Sequence, residues 1–524
     1  MAKYVLKRLL HGAISIIAVV FIVMILVYGL MNRDLVFAKD PLLSRQMNNN
    51  RVIYMYQKWE EFGYLDYVPF ADYLNDLARQ GEIDEETRAD AVSIGRTAED
   101  DSPLTAEYVK KFTEYYESKG YTVSRNDAIV SRGRLANGGK QQLFAYRDYS
   151  VFKRLWNYFT GLFYVDNVNY VPEENDIGER GLTFTWYDPV YGGEKFSPAL
   201  IGNGTRYKYL IYFDNKFPYF HQNLVTINLG LSYSVSRGVD VWDSMTQSQG
   251  SWVQSEITYP TGLQEMSADD LHTAAYVAGS LETSDLYKDR FTDDYTYTRT
   301  TQNNMSRLGY SFLIGIIATI FVYILGLPIG VLMARDKGGI IDKVGTVYVM
   351  FISAVPSLAY IFMFKGIGRS MGLPWMFDMD NLSKLMYVLP IVSLALPSVA
   401  SMMKWMRRYM IDQMNSDYVK FARSTGLSET SIFFKHVMKV SAIPIIQGIP
   451  GSILLAMTGA LITERVYMVP GAGGLLIDAI NAYDNSVIVG VTLFYAILAV
   501  LSLILGDVLM AVVDPRISFT EKAR

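Results

Sequence analysis

The chain has 524 residues, 48 Lys plus Arg, 52 Asp plus Glu, a formal net charge of -4 and no cysteine. The lack of cysteine excludes a disulfide framework, thiolate metal sites and cysteine nucleophiles. Only four histidines are present, which argues against a histidine-rich metal site.

The charge is divided unevenly along the chain. Residues 33–305 hold 27 basic and 39 acidic residues, a net charge of -12, whereas the remainder holds 21 basic and 13 acidic residues, a net charge of +8. The long apolar runs lie almost entirely in the basic remainder. The sequence therefore predicts a membrane protein with a large acidic, hydrophilic segment at 32–305, which we call the insert.

Six segments are long and apolar enough to cross a bilayer, which takes about 20 helical residues. The first, at about 9–31, is longer than a signal-peptide core and has no small-residue cleavage site after it, so we expect it to be retained. The other five are predicted at about 309–334, 344–364, 386–403, 442–463 and 487–512. Prolines at 328, 356, 390, 397 and 450 predict kinks, which membrane helices tolerate when neighbouring groups satisfy the freed carbonyls.

The basic residues predict the orientation. With both termini in the cytoplasm, 16 of the 21 basic residues outside the insert face the cytosol, as the positive-inside rule requires. The predicted fold is a mostly α-helical, polytopic protein of the bacterial cell membrane with an extracytoplasmic α+β insert. Its predicted parts are a leader with the first span at 1–31, the insert at 32–305, a transmembrane domain at 306–516 with a loop at 404–441, and a cytoplasmic tail at 517–524.

The insert shows helical patterns first and strand patterns later. Ser102 as a cap and Pro103 at a first helical position predict a helix that continues over 106–119 and stops at Gly120, and another helix is predicted at 83–94. Alternating aromatic, Thr and aliphatic residues predict strands at 182–187 and 206–213. The many tyrosines admit two interpretations, strand packing or a docking face for an extracellular protein or peptide.

The segment 417–444 between the fourth and fifth predicted spans is the most informative one. Its pattern predicts a helix from Asp417, a break at Gly426, which readily adopts the left-handed conformation, and a second helix capped by Ser428. It carries an unusual number of apolar side chains for a solvated connection: Phe421, Leu427, Ile432, Phe433, Phe434 and Val437. These residues either pack under the membrane domain or form a helix offered to a cytosolic partner, with Lys420, Arg423 and Lys435 as a charged rim.

The motif DYVKFARSTGLS, with Ala422 and Gly426, and the following KHVMKVSAIP resemble the EAA loop of ABC importer permeases, in particular of the oligopeptide and dipeptide branch. Matching stretches occur in the family's order: GLPIG at 326–330, SAVP at 353–356, LP at 389–390, ALP at 395–397, TERVYMVPG at 463–471 and DPR at 514–516, with NLGLS at 228–232 before the second span. The resemblance covers about 309–516 and the first helix. Residues 32–227 depart from it, being far longer than the family's usual first loop, and Lys420 stands where the family name has glutamate.

The resemblance implies the permease subunit of an ATP-driven importer that translocates oligopeptides delivered by an extracellular binding protein. It implies a second homologous permease subunit, two cytoplasmic ABC ATPase subunits, the peptide and the lipid bilayer as partners, and no nucleic acid. In the family the loop couples to the ATPase. The residues expected to do so are Asp417, Lys420, Phe421, Ala422, Arg423, Gly426, Leu427, Ser428, Phe433 and Pro444. The choice among oligopeptide, dipeptide and nickel, and the residues lining the pathway, stay open.

The chain is not expected to be an enzyme. The nearest match to a Walker A loop, GRLANGGKQ at 133–141, has an extra Gly before Lys140 and lacks the Ser or Thr that would hold Mg²⁺, so ATP use, and any cofactor, is assigned to the partner subunits. No metal site is predicted. Glu464 and Asp507 lie near or within spans and are functional suspects by default, but they are isolated, which favours interfacial or paired structural carboxylates. The four-residue spacing of Met402, Met406, Met410 and Met414 predicts a packing face.

The sequence leaves two other classes of protein open. A surface receptor would explain the acidic ectodomain but needs no six-helix bundle with an EAA-like loop. An ion-coupled secondary transporter would explain the bundle but should show a buried ionisable relay or an inverted repeat.

Overall fold

A computed structural model describes residues 2–84, 86, 88, 103–173, 177–214, 219–277, 289–293, 296–458 and 460–513. The helices before the second apolar segment are α1 (Ala2–Met24), α2 (Asn48–Glu61), α3 (Phe70–Arg79), α4 (Pro103–Ser118), α5 (Val151–Thr160) and α6 (Val241–Thr246). The later ones are α7 (Arg307–Phe321), α8 (Leu327–Arg335), α9 (Ile340–Ala354), α10 (Ser357–Ser370), α11 (Val388–Met414), α12 (Asp417–Ser424), α13 (Glu429–Ser431), α14 (Met438–Ser441), α15 (Ile443–Leu455), α16 (Leu461–Tyr467), α17 (Ala472–Asn481) and α18 (Asn485–Val513).

Short π- and 3₁₀-helical segments extend or join these helices. The π-helical ones are Ile25–Gly29, Val322–Gly326 and Ile432–Val437, and the 3₁₀ ones are Arg33–Phe37, Leu43–Arg45, Pro189–Tyr191, Lys384–Tyr387 and Ala456–Thr458. The π segment at Val322–Gly326 directly precedes Pro328, in the first turn of α8. Proline lacks an N–H and crowds the carbonyl four residues earlier, so a widened turn is a physical way to continue the helix through it.

Four helical stretches are long and apolar enough to cross a membrane: Tyr4–Gly29, Arg307–Arg335, Lys384–Met414 and Asn485–Val513. Two further pairs qualify only together, α9 with α10, bent by 108°, and Glu429–Ser441 with α15, bent by 45°. The predicted span at 344–364 is therefore not one continuous helix. Val355 before Pro356 is extended, with ψ 130°, because the proline ring disfavours a helical residue in front of it.

The insert is built from helices and antiparallel strands, as predicted. Its strands are β1 (Leu65–Pro69), β2 (Thr122–Asn126), β3 (Val130–Ser131), β4 (Arg134–Leu135), β5 (Gln142–Asp148), β6 (Phe163–Val165), β7 (Gly181–Thr185), β8 (Ala199–Asn203), β9 (Tyr209–Phe213), β10 (Phe220–Gln222), β11 (Val225–Ile227), β12 (Ser248–Trp252), β13 (Ser255–Thr258), β14 (Gln264–Ser267), β15 (Asp269–Tyr276), β16 (Thr296–Thr300) and β17 (Gln302–Ser306). They form sheets in the orders β1-β5-β2 and β10-β9-β8-β7, and the pairs β11-β6, β12-β17, β13-β14, β15-β16 and β3-β4.

The predicted elements of the insert are found with shifted ends. The helix expected at 106–119 is α4, and Gly120 follows it with a φ of +78°. The strands expected at 182–187 and 206–213 are β7 and the shorter β9. Ser102 and most of 83–94 lie outside the described residues. Among the tyrosines, Tyr64, Tyr67, Tyr233 and Tyr259 are buried, so packing accounts for these four.

The insert and the apolar helices share one hydrophobic core. Val20 and Met24 of α1, Leu229 and Val241 of the insert, and residues of α17 and the first turns of α18 form a single buried cluster. An alanine-sized side chain at Gly490 of α18 would lie only 3.0 Å from Leu229 and Val241, so the glycine permits this close approach. The predicted boundary at 305 is therefore not a boundary in packing.

A buried carboxylate fastens the insert to α18. Asp484, directly before that helix, accepts hydrogen bonds on Oδ2 from the Ser232 hydroxyl (2.7 Å) and from the backbone N–H groups of Tyr233, Ser234 and Val235 (3.0, 3.0 and 3.2 Å). Its Oδ1 accepts from the Val487 N–H at 3.4 Å, as an N-cap does. The NLGLS motif thus leads into the loop at 232–235, whose donors surround the Asp484 carboxylate.

Candidate functional site: the hairpin at 417–441 and the cavity beside Glu464

The hairpin comprises α12, α13, the π-helical turn after it and α14. The first helix ends at Ser424, with Thr425 as its C-cap. Gly426 follows with a φ of +81°, the left-handed conformation predicted for the break. The Ser428 hydroxyl accepts the Ser431 N–H at 3.3 Å and so caps the second helix as predicted. These two local signals set the chain reversal.

One side of the hairpin is packed against the membrane helices. Val419 and Ala422 of the first arm, and Ile432, Phe433 and Val437 of the second, are buried in a cluster with Ala334 of α8 and with Met406 and Met410 of α11. The methionine stripe on α11 is therefore a packing face, as predicted. Because both arms are fastened to α8 and α11, the hairpin and these helices are expected to move as one body.

The other side of the hairpin is apolar and exposed. The Phe421 side chain is 71% exposed, and Leu427 and Phe434 are 42% and 40% exposed, whereas the neighbouring Phe433 is only 8% exposed. Of the six apolar residues singled out from the sequence, three are therefore packed under the membrane domain and three are exposed. Of the ten residues expected to couple to an ATPase, Ala422 and Phe433 are buried, and the other eight are exposed.

Ion pairs connect charged residues on the exposed side of the hairpin. The Arg423 guanidinium bridges the two arms by binding the Glu429 carboxylate, with Nη2 to Oε2 at 3.1 Å, and holds the pKa of that carboxyl below its usual range. Within the first arm, Lys420 Nζ lies 2.8 Å from Asp417 Oδ1. Exposed pairs of this kind contribute little to stability, so a partner protein can rearrange them at small cost.

Pro444, the last of the expected coupling residues, lies in the first turn of α15. It directly follows the 45° bend between the hairpin and that helix. Sequence reasoning did not identify Arg335 at the end of α8, whose guanidinium lies 5.9 Å from the ring centre of Phe434 and lines a cavity of about 200 Å³ with it.

A second cavity, of about 300 Å³, lies between the membrane helices. It is lined by residues of α7, the following π turn, α11 and α15, among them Ser311, Tyr323, Ser398, Met402 and Ser452. Glu464 of α16 also lines it. No sequence motif identified this lining, because it comes from separate segments that only packing brings together.

The Glu464 carboxylate is buried and fully engaged. Its Oε1 accepts the Ser311 hydroxyl at 2.7 Å and the Ala460 N–H at 3.1 Å, and its Oε2 accepts the Gly474 N–H at 3.2 Å. The amides at the start of α17 thus face the anion, a position at which helix dipoles favour negative charge. A side chain at Gly471 would lie 2.3 Å from Oε2, which explains the glycine. The sequence favours an interfacial or paired carboxylate at Glu464, and in the structure its partners are a hydroxyl and amides.

Asp507 is the paired carboxylate that the sequence predicted. Its Oδ2 lies 3.1 Å from Arg8 Nη2 and accepts the Tyr4 hydroxyl at 3.0 Å, which joins α1 to α18. Within the part of the chain that the structure describes, no three His, Asp or Glu side chains come together as metal ligands would.

Fold and site together define a multi-pass membrane protein whose helices carry an exposed hairpin at one end and a large folded insert after the first span. Residues 326–519 match the model of the binding-protein-dependent transport system inner membrane component family. The chain is 32% identical over 531 residues to the oligopeptide transport system permease protein AmiC of Streptococcus pneumoniae, and the match covers 100% of this chain and 99% of that protein.

The dipeptide transport system permease protein DppB of Lactococcus lactis is 29% identical over 235 residues, 44% of this chain and 77% of that protein. Among solved structures, the MetNI methionine ABC transporter matches 40% of this chain and 94% of its own, at 14% identity and a TM-score of 0.33. The chain belongs to the binding-protein-dependent transport inner-membrane component family, as an oligopeptide permease of the ABC importers. The insert, which departs from the family's usual first loop, lies within the end-to-end match to AmiC.

Proposed function

We propose that this protein is the transmembrane subunit of an ABC importer that admits oligopeptides delivered by an extracellular binding protein, and that its hairpin docks on a cytoplasmic ATPase subunit. The single observation that carries the docking proposal is the split of the hairpin into a buried and an exposed apolar side. A hairpin that only packed under the membrane domain would have no reason to expose Phe421. An aromatic side chain in that position is a typical interface anchor.

The proposed assembly has six spans in this subunit and both termini in the cytoplasm. The bent pair α9–α10 forms the third span, and the fifth begins at α15, after the hairpin. The insert then lies outside the cell. A second homologous permease, two ATPase subunits and the binding protein complete it, and ATP is bound by the ATPases while this chain holds no cofactor. The distribution of basic residues supports the orientation.

The proposed coupling runs through α11, a helix of 27 residues. Its second half carries Met406 and Met410, which are buried under the hairpin, while Leu394, Ser398 and Met402 of the same helix line the cavity beside Glu464. A displacement of the hairpin by a closing ATPase would therefore reach the cavity through one packed element. Peptide and ATP can drive this alternation only by binding its two states with different affinity.

The first test replaces an exposed phenylalanine of the hairpin. Phe421→Ala removes an exposed ring, so the subunit should fold and yet bind the ATPase about 30-fold more weakly, which corresponds to about 2 kcal/mol for an interface anchor. The measurement is the affinity of the reconstituted permease for the ATPase, together with peptide-dependent ATP hydrolysis. Phe220→Ala, at a ring in the insert that is 59% exposed, is the control and should leave both unchanged.

Unaltered ATPase affinity in the Phe421→Ala protein would contradict the docking proposal.

A second pair of variants tests the shape of the hairpin. A side chain at Gly426 meets open space, so its cost is the left-handed backbone alone, about 1–2 kcal/mol. Gly426→Asn should be tolerated, because asparagine adopts this conformation, whereas Gly426→Val should lose the ATPase.

The energy source separates the proposed importer from the alternatives. Uptake of a labelled oligopeptide into proteoliposomes should require ATP on the hairpin side and should persist when the proton gradient is dissipated. Uptake that survives without ATP and collapses with the gradient would indicate an ion-coupled transporter. A receptor would bind peptide at the insert and show no uptake under either condition.

A further inference from the structure

The helix α5 of the insert lies beside α1 and presents an aromatic edge that nothing in the described chain covers. Its Phe152 and Trp156 side chains are 72% and 68% exposed. Four residues apart, they lie on the same side of the helix. Leu155 and Phe159, on the adjacent side, pack against the core that contains Val20 and Met24 of α1.

The exposed polar residues Lys153 and Asn157 are offset around α5 from that aromatic edge. Each lies one residue further along than an aromatic residue, on a separate edge of the helix. The Arg154 guanidinium instead donates to the Tyr64 backbone carbonyl at 3.0 Å and lies over the Tyr64 ring, within the insert. The helix therefore has one edge for protein, one for water and one that is purely aromatic.

The depth of the aromatic edge follows from its contact with α1. The rings of Phe152 and Phe21 are 5.4 Å apart, centre to centre. Arg8 is the last charged residue before Arg33. Phe21 lies 13 residues beyond Arg8, a distance of about 20 Å along the helix axis. The hydrocarbon core of the bilayer is about 30 Å thick. If one surface of this core lies at Arg8, Phe21 and the adjacent Phe152 lie about 10 Å inside its opposite surface.

We propose that α5 is an interfacial helix whose Phe152 and Trp156 insert into the bilayer leaflet on the insert side, so that the insert is held to the lipid as well as to α1. The same part of the span supports lipid as the occupant, because Ile22 of α1 and Leu26 of the π-helical turn that follows are more than half exposed. Amphipathic helices with tryptophan at the boundary insert their apolar side to about this depth. The proposal requires only that α1 crosses the membrane, and so it stands or falls independently of peptide transport.

Single cysteines test the proposal directly, since the chain has none of its own. Phe152→Cys and Trp156→Cys are each labelled with a nitroxide in the complete transporter, reconstituted in phosphatidylcholine–phosphatidylglycerol nanodiscs. Collisions with oxygen, which concentrates in lipid, are compared with collisions with a water-soluble nickel chelate. Asn157→Cys on the polar edge of the same helix and Phe196→Cys, an exposed aromatic position elsewhere in the insert, are the controls.

Oxygen collisions should exceed nickel collisions several-fold at 152 and 156, and the order should reverse at 157 and 196. Greater access to nickel at 152 and 156 would show an aqueous surface and overturn the proposal. Low access to both reagents would show that a protein, such as the second permease subunit, covers the edge, and would overturn it equally. A label-free readout uses brominated lipid: the Trp156→Phe protein should lose part of the tryptophan quenching seen in the wild type, and equal quenching in both would contradict insertion.

Discussion

Asp484 offers the sharpest test of how the insert is joined to the membrane helices. Its carboxylate is completely buried and is the acceptor for one hydroxyl and three consecutive backbone N–H groups of the loop at 232–235. Asp484→Ala leaves those donors without their acceptor. An unpaired buried donor costs about 1–3 kcal/mol, so three amides at the lower bound amount to about 3 kcal/mol of local stability.

The loss should appear as faster hydrogen exchange of the loop amides. Because each 1.4 kcal/mol is tenfold, about 3 kcal/mol predicts about 150-fold less protection at residues 233–235. The assay is hydrogen exchange with mass spectrometry on the reconstituted protein, which detects local opening without global unfolding. Asp484→Asn retains an acceptor oxygen but not the charge, so it should give a smaller loss.

The matched control is Asp478→Asn, which removes a carboxylate 2.9 Å from Arg465 Nη1. The side chains of that pair are 58% and 39% exposed, so it contributes at most about 1 kcal/mol, and loop exchange should be unchanged. Protection at 233–235 that stays within threefold of wild type in Asp484→Ala would refute the reasoning. The loop would then be held by the packing of Leu229 and Val241 alone.

Three further predictions concern stability. Each is checked by measuring the apparent unfolding midpoint of the protein in detergent or nanodiscs. Burial raises the pKa of Asp240 to about 6, so the folded protein binds a proton that the unfolded chain releases near pH 4. Stability should therefore fall by up to about 3 kcal/mol as the pH rises from 4 through 6, and parallel pH profiles of wild type and Asp240→Asn would contradict this. Gly471→Ala should destabilise the protein, because the new side chain would collide with the Glu464 carboxylate. Gly448 is a helical residue with open space around it, so Gly448→Ala should be neutral or stabilising. Phe433→Ala should cost about 3 kcal/mol through the cavity it opens, and an unshifted midpoint would show that the hairpin is not packed as described.

Local signals in the sequence predicted the hairpin well. The glycine that must be left-handed, the serine that caps the following helix and the spacing of the methionines are properties of short stretches of chain, and Gly426, Ser428, Met406 and Met410 are found in the predicted roles. What the pattern left open was which apolar residues face the membrane helices. Phe433 and Phe434 are neighbours of one type, and only the packing of α8 and α11 decides that the first is buried and the second exposed.

Longer-range features were predicted less completely. The span at 344–364 was expected from hydropathy, which averages over a window and does not register a 108° break at Pro356. Glu464 and Asp484 are each a single acidic residue in the sequence. Their partners, Ser311 and the loop at 232–235, lie more than 150 residues away, so no local pattern identifies them.

The sequence by itself determined that this is a membrane protein with two modules of opposite charge, that its apolar segments are helices, and that it belongs with the importer permeases. These properties follow from composition, hydropathy and short motifs, which act over a turn or a span. Only the tertiary structure decided that the insert and the membrane helices share one core, which glycines make room for buried carboxylates, and which side of the hairpin is left for a partner. Those outcomes depend on which distant segments pack together, and packing is a property of the folded chain as a whole.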